Sequence, residues 1–279
     1  MAKVFQEKLD AAEKSAGSLV CVGLDPDISK FPAHLRALPP GEAIVEFNRQ
    51  IIDATHDLVS CYKPNFGFYI QYGLEGLAAL IDTRRMIPAG IPVILDCKVG
   101  DISTTAEAYA KGFFDEWDFD CITVNAYLGE DAVAPFVEYP DRGVLVLAKT
   151  SNRGSGDLQD LKVTNGRETE TVYEVMAKRG SHWNERYPAA IGLVVGATYP
   201  DQMARVRALN PWAPILVPGI GAQGGDVAAS VKAGLSFNKG SLLMSSSRGI
   251  IYASRESDFA DAARNATVKL RDEINAARS

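Results

Sequence analysis

The stretch Ile91-Pro-Val-Ile-Leu-Asp96-Cys-Lys98-Val-Gly-Asp101-Ile-Ser-Thr-Thr105 decides how the chain is read. After Pro92, an apolar, β-branched run ends in three charged residues, the pattern of a buried parallel strand meeting its loop. Side chains alternate along a strand, so Asp96 and Lys98 are expected on one face and Val99 on the other. Asp101 follows Gly100, with a helix opening near Ser103. Charges at the carboxyl end of a strand are costly unless paired, and they mark functional sites as well as plain salt bridges.

Outward from this stretch, strand-like and helical runs alternate along the chain. The spacing predicts strands at Leu19–Asp25, Cys61–Phe66, the opening stretch, Cys121–Tyr127, Gly143–Ala148, Ala190–Ala197, Pro214–Pro218 and Leu242–Ser247. Helical patterns follow near 42–59, 69–86, 104–117, 130–137, 200–209, 226–233 and 258–277. Eight βα units in about 250 residues read as an α/β fold, a single (β/α)8 TIM barrel spanning 1–279. Residues 150–189 stand apart, rich in turn formers at Thr150–Asp157, and read as a long loop region after strand five, with no motif in 162–187.

The chain has 279 residues, 47% hydrophobic, enough to bury a large core. A net charge of −6 argues against a nucleic-acid polymer or an anionic membrane as partner. No apolar run approaches a membrane span, and the first residues lack a signal-peptide pattern. Cys21, Cys61, Cys97 and Cys121 are scattered singly, and His34, His56 and His182 are not clustered. Free thiols in a reducing cytoplasm are the expectation, with no metal site.

Barrel active sites form at the carboxyl ends of the strands. There the sequence places Asp25 after strand one, Lys63 on strand two, Asp96, Lys98 and Asp101 on strand three, Lys149-Thr-Ser151-Asn152 after strand five, and Ser247-Arg248 after strand eight. Interleaved signs keep both Lys63 and Lys98 protonated. A fixed ammonium can stabilise a developing carbanion and then protonate it.

Pro218-Gly-Ile-Gly-Ala-Gln-Gly-Gly225 follows strand seven. It matches GxGxxG literally, but no Asp or Glu occurs between Val227 and Arg255 to hold a ribose, so a dinucleotide site is not the reading. Glycine-rich turns expose backbone N–H groups to a phosphate, and Arg248 adds a forked donor.

These residues resemble a known family. Asp96-x-Lys98-x-x-Asp101 with Lys63 resembles the charged tetrad of orotidine 5′-monophosphate decarboxylases. Pro218–Gly225 and Ser247-Arg248-Gly resemble their phosphate-binding segments, and Leu24-Asp25-Pro26, Thr150-Ser151-Asn152 and the run Asp101–Ala110 fit the longer bacterial branch. Val99 departs from that branch, where a basic residue is expected.

The resemblance implies cofactor-free decarboxylation of orotidine 5′-monophosphate to uridine 5′-monophosphate and CO2, the last step of de novo UMP synthesis. It makes Lys98 the proton donor to C6, puts Asp96 beside the departing carboxylate, and uses Lys63 and Asp101 to hold Lys98. It assigns one ribose hydroxyl to Asp25 and Lys63, and the other to Asp101 and Thr105 of a partner subunit in a homodimer. It also assigns Ile102 to substrate binding, Ser151 to the pyrimidine edge, Gln223 and Arg248 to the phosphate, and Pro218 and Ile220 to apolar cover. Two other readings stay open: a Mg2+-dependent sugar-phosphate decarboxylase or aldolase on the same barrel, and a barrel that binds a nucleotide without catalysis.

Overall fold

The computed structural model describes residues 3–166, 168–220 and 225–278, apart from the side chain of Asn165. Strands β1 (Val20–Leu24), β2 (Cys61–Pro64), β3 (Ile94–Val99), β4 (Cys121–Val124) and β5 (Gly143–Lys149) belong to one parallel sheet. β6 (Lys162–Asn165) and β7 (Glu168–Thr171) form a separate antiparallel hairpin. β8 (Ala190–Val195), β9 (Ile215–Pro218) and β10 (Leu242–Ser246) complete the sheet, in the order β2-β1-β10-β9-β8-β5-β4-β3. Isolated bridges Tyr62–Val93 and Asn65–Asp96 join β2 to β3 and bring the sheet round into the expected (β/α)8 barrel.

β1, β2, β4 and β8 are buried throughout, as parallel strands covered on both sides must be. Inside the barrel, Cys21, Cys61, Ile94, Cys121, Leu145, Ala190, Leu216 and Leu243 form one layer, with a residue from each barrel strand. Phe5 and Leu9 close this layer from a helix at Val4–Ala16, whose apolar residues recur at helical spacing and which ends at Gly17 in the left-handed conformation, φ +56°. Gly143 is glycine for a steric reason: a Cβ there would lie 2.5 Å from the Phe5 ring.

Two expectations are corrected. Residues 150–189 are not a loop: they contain the β6–β7 hairpin and a 15-residue helix, Val172–Arg186. Glu174 starts that helix by reaching back to the Thr171 N–H (2.9 Å) and hydroxyl (2.8 Å). The single helix expected over 69–86 is two, Phe66–Ile70 and Gly73–Met86, split where Gly73 takes φ +63°.

Candidate active site

The charged stretch lies on β3, but strict alternation is not what brings its charges together. β3 pairs with β4 at Leu95–Ile122 and again at Val99–Val124, and the register shifts between. Asp96, Cys97 and Lys98 therefore stand opposite Thr123 alone, and Lys98 takes φ +49°, a left-handed conformation unusual for a residue with a side chain. This bulge turns the Lys98 side chain back onto Asp96, with Nζ 2.5 Å from Oδ1.

Asp96 is nearly saturated. Oδ1 accepts from Lys98 Nζ and from Thr123 Oγ1 at 3.0 Å; Oδ2 accepts from Lys63 Nζ at 3.2 Å and from Asn65 Nδ2 at 3.0 Å. Asp96 and Lys63 are both buried. Burial opposes both charges, yet Lys63 and Lys98 hold the Asp96 carboxyl well below the usual carboxylate range. Burial likewise opposes the Lys63 ammonium, but Asp96 and Asp25 hold it above the ordinary lysine value. The result is a fixed carboxylate between two ammonium groups, of which Lys98, half exposed, reaches the open space.

That space is a cleft of about 570 Å3 at the carboxyl ends of the strands. Asp25, Lys63, Asp96 and Lys98 line it, together with Ser151, Pro218, Ile220 and Arg248. Asp25 is held by its Oδ1, which accepts the Asn65 N–H at 3.2 Å. Ser151 sits against Gly196, where a Cβ would come within 2.7 Å of its Cα. A carboxylate–ammonium array and the Arg248 guanidinium in one cleft suit a ligand with a reacting group at one end and an anion at the other.

Asp101, Ile102 and Thr105 do not line this cleft; Asp101 Oδ1 accepts the Ile102 N–H at 2.8 Å, and Ile102 and Thr105 are exposed. Gln223 lies outside the described residues. Asn65 and Thr123, both in contact with Asp96, were not anticipated. Asn65 carried a signal, since it follows Lys63 at a strand end, whereas Thr123 reads as one more β-branched residue in an apolar strand.

Residues 18–263 match the model of the orotidine 5′-phosphate decarboxylase / HUMPS family. The orotidine 5′-phosphate decarboxylase of Thermomicrobium roseum is 50% identical over 274 residues, 98% of this chain and 96% of the relative. The enzyme of that name from Azoarcus sp. strain BH72 is 50% identical over 275 residues, 98% of this chain and 99% of the relative. Among solved structures, OMP decarboxylase of Leishmania donovani superposes with a TM-score of 0.84 at 41% identity, covering 99% of each chain. UMP synthase of the same organism matches with a TM-score of 0.86 at 42% identity, covering 99% of this chain and 57% of that longer one.

Proposed function

The chain belongs to the orotidine 5′-phosphate decarboxylase / HUMPS family, and from that premise we propose that Lys98, Asp96 and Lys63 carry its chemistry. The reaction is the decarboxylation of orotidine 5′-monophosphate to uridine 5′-monophosphate, a carboxy-lyase step of UMP synthesis. Breaking the C6–carboxylate bond leaves an electron pair in the ring plane, where delocalisation is poor. An ammonium at that carbon offsets the charge and then supplies the proton that replaces CO2. Lys98 is that ammonium: its Nζ faces the cleft while its backbone and its Asp96 partner are fixed.

The observation that carries this reading is the Lys63–Asp96–Lys98 array, with one carboxylate shared by two ammonium groups at 3.2 and 2.5 Å. Asp96 faces the departing carboxylate in this scheme and orients Lys98. Asp25 and Lys63 take a ribose hydroxyl, Ser151 the pyrimidine edge, and Gln223 and Arg248 the phosphate, with Pro218 as apolar cover. The remaining hydroxyl falls to Asp101 and Thr105 of a second subunit, with Ile102 beside them, in a homodimer. In support, these three residues stand outside their own chain's cleft, and Ile102 is 52% exposed. The side chains themselves provide the proton and the charges, so the scheme needs no metal or cofactor. Four free thiols, three of them buried, suit a reducing cytoplasm, and no described helix is long and apolar enough to cross a membrane.

Lys98→Ala tests the assignment. Orotidine 5′-monophosphate turnover should fall to the background rate in a protein that keeps its wild-type circular dichroism. Wild-type turnover should survive exhaustive EDTA treatment, and loss of activity there would favour the metal-dependent sugar-phosphate chemistry of related barrels.

A further inference from the structure

The catalytic pair rides on an irregular piece of backbone, and one side chain outside the cleft restrains it. Where β3 bulges, Asp96, Cys97 and Lys98 face the single residue Thr123 of β4. Bulged residues lose ladder partners. Here the losses are made good by Thr123: its Oγ1 accepts the Lys98 N–H at 2.8 Å, and its carbonyl accepts the Cys97 thiol at 3.4 Å. The hydroxyl proton goes to Asp96 Oδ1 at 3.0 Å. Thr123 is completely buried and does not line the cleft. A left-handed Lys98 persists only where its surroundings over-determine it, and this hydrogen bond holds its amide.

We propose that Thr123 is a positioning residue for decarboxylation, its hydroxyl tying the Lys98 backbone to the Asp96 carboxylate so that the ammonium is held at a fixed point of the cleft. The proposal rests on the roles given above to Lys98 and Asp96. The chemistry requires a hydroxyl, because one atom must accept from an amide and donate to a carboxylate at once. Valine has the same shape but would leave the Lys98 N–H without its acceptor and Asp96 Oδ1 without one of its donors. Serine retains both bonds and loses only a methyl group.

The experiment compares Thr123→Val and Thr123→Ser with the wild type in kcat and KM for orotidine 5′-monophosphate. Affinity for uridine 5′-monophosphate, which occupies the cleft without reacting, is measured alongside. Thr123→Val should lower kcat about ten- to hundredfold, the scale of one lost charge-assisted hydrogen bond. KM and product affinity should stay within about threefold, and Thr123→Ser should recover kcat to a similar margin. A Thr123→Val enzyme with wild-type kcat would overturn the proposal. So would a folded Thr123→Ser as slow as Thr123→Val, or product affinity that falls in step with kcat, which would make the role merely structural. Thr123→Ala is read by the same criteria if the valine variant does not fold. Lys98→Ala, run in parallel, separates the two levels: near-wild-type turnover there would remove the assigned proton donor, whatever Thr123 does.

Discussion

Asn65 joins Asp96 through a hydrogen bond of 3.0 Å, from Nδ2 to Oδ2, and the helix that follows decides which end of the amide does so. Asn65 is the N-cap of Phe66–Ile70, and its Oδ1 accepts the Gly67 N–H at 3.0 Å. With the oxygen engaged in the cap, the nitrogen is left to face the carboxylate. The same residue's backbone N–H donates to Asp25, so one asparagine links the helix start, Asp25 and Asp96.

Asn65→Ala should lose both side-chain bonds. The cap alone costs roughly 1 kcal/mol of stability, read as a lower urea midpoint. Asn65→Asp separates the two functions: it can still cap, but it sets a second carboxylate against Asp96, where like charges disfavour ionisation. The aspartate variant should therefore lose at least as much kcat/KM as the alanine variant while keeping more stability. Wild-type kcat/KM in Asn65→Asp would mean that the donor to Asp96 is dispensable.

A pH effect is expected at the opposite end of the barrel. Glu13, in the last turn of the N-terminal helix, is buried; Oε2 accepts the Ser241 N–H at 3.3 Å and Oε1 has no partner among the described residues. Burial pushes its carboxyl up to about 7, and Asp10 adds to the rise, while the Ser241 N–H, Arg278 and Arg207 oppose it. Between the unfolded value near 4.3 and this folded value, the native chain holds a proton that the unfolded chain has released. Stability from this site therefore falls as pH rises through that window and is flat above it. Glu13→Gln, which imitates the protonated form, should exceed the wild type by only about 1 kcal/mol near pH 5. By pH 8 it should be more stable, by on the order of 3 kcal/mol. Denaturant unfolding at the two pH values measures the gap, and an equal gap at both would show that Glu13 does not titrate in this range.

Arg248 lines the same cleft as the Lys63–Asp96–Lys98 array. If it grips the phosphate, Arg248→Ala should lower kcat/KM for the nucleotide through binding energy used far from the bond broken. The nucleoside without phosphate has no such contact to lose. Equal sensitivity of the two substrates would assign Arg248 elsewhere.

The barrel was legible because each strand is an apolar run ending in a charge or a turn, and its periodicity differs from that of the helices. The cluster of Asp25, Lys63, Asp96 and Lys98 was legible for the same reason, since strand order brings those ends side by side. The bulge was not: a register shift depends on pairing with β4, and nothing within Ile94–Val99 announces that Lys98 leaves the ladder. Thr123 was hidden because a threonine in a strand looks like valine until a partner for its hydroxyl is seen. The helix Val4–Ala16 and the Thr171–Glu174 helix start did carry local signals, in the Phe5–Leu9 spacing and in the Thr-x-x-Glu pattern. The turn-rich Thr150–Asp157 run drew the whole of 150–189 into one loop.

The proposed sharing of the site between subunits gives the sharpest test. Lys98 faces its own cleft, whereas Asp101 and Thr105 stand outside it, past the end of β3. In an isologous dimer, whatever one subunit donates it also receives. Suppose Lys98→Ala and Asp101→Ala are each inactive as homodimers. A mixed dimer then has one site with both defects and one with Lys98 from one chain and Asp101 from the other, wild type in composition. Random assembly makes about half the dimers mixed, each with one intact site, so roughly a quarter of the wild-type activity should return. Co-expression with two different affinity tags allows the mixed species to be isolated, in which about half the wild-type activity per dimer is expected. Inactive mixed dimers of verified composition would mean that Asp101 serves the site of its own chain, and that the loop after β3 folds inward when substrate binds.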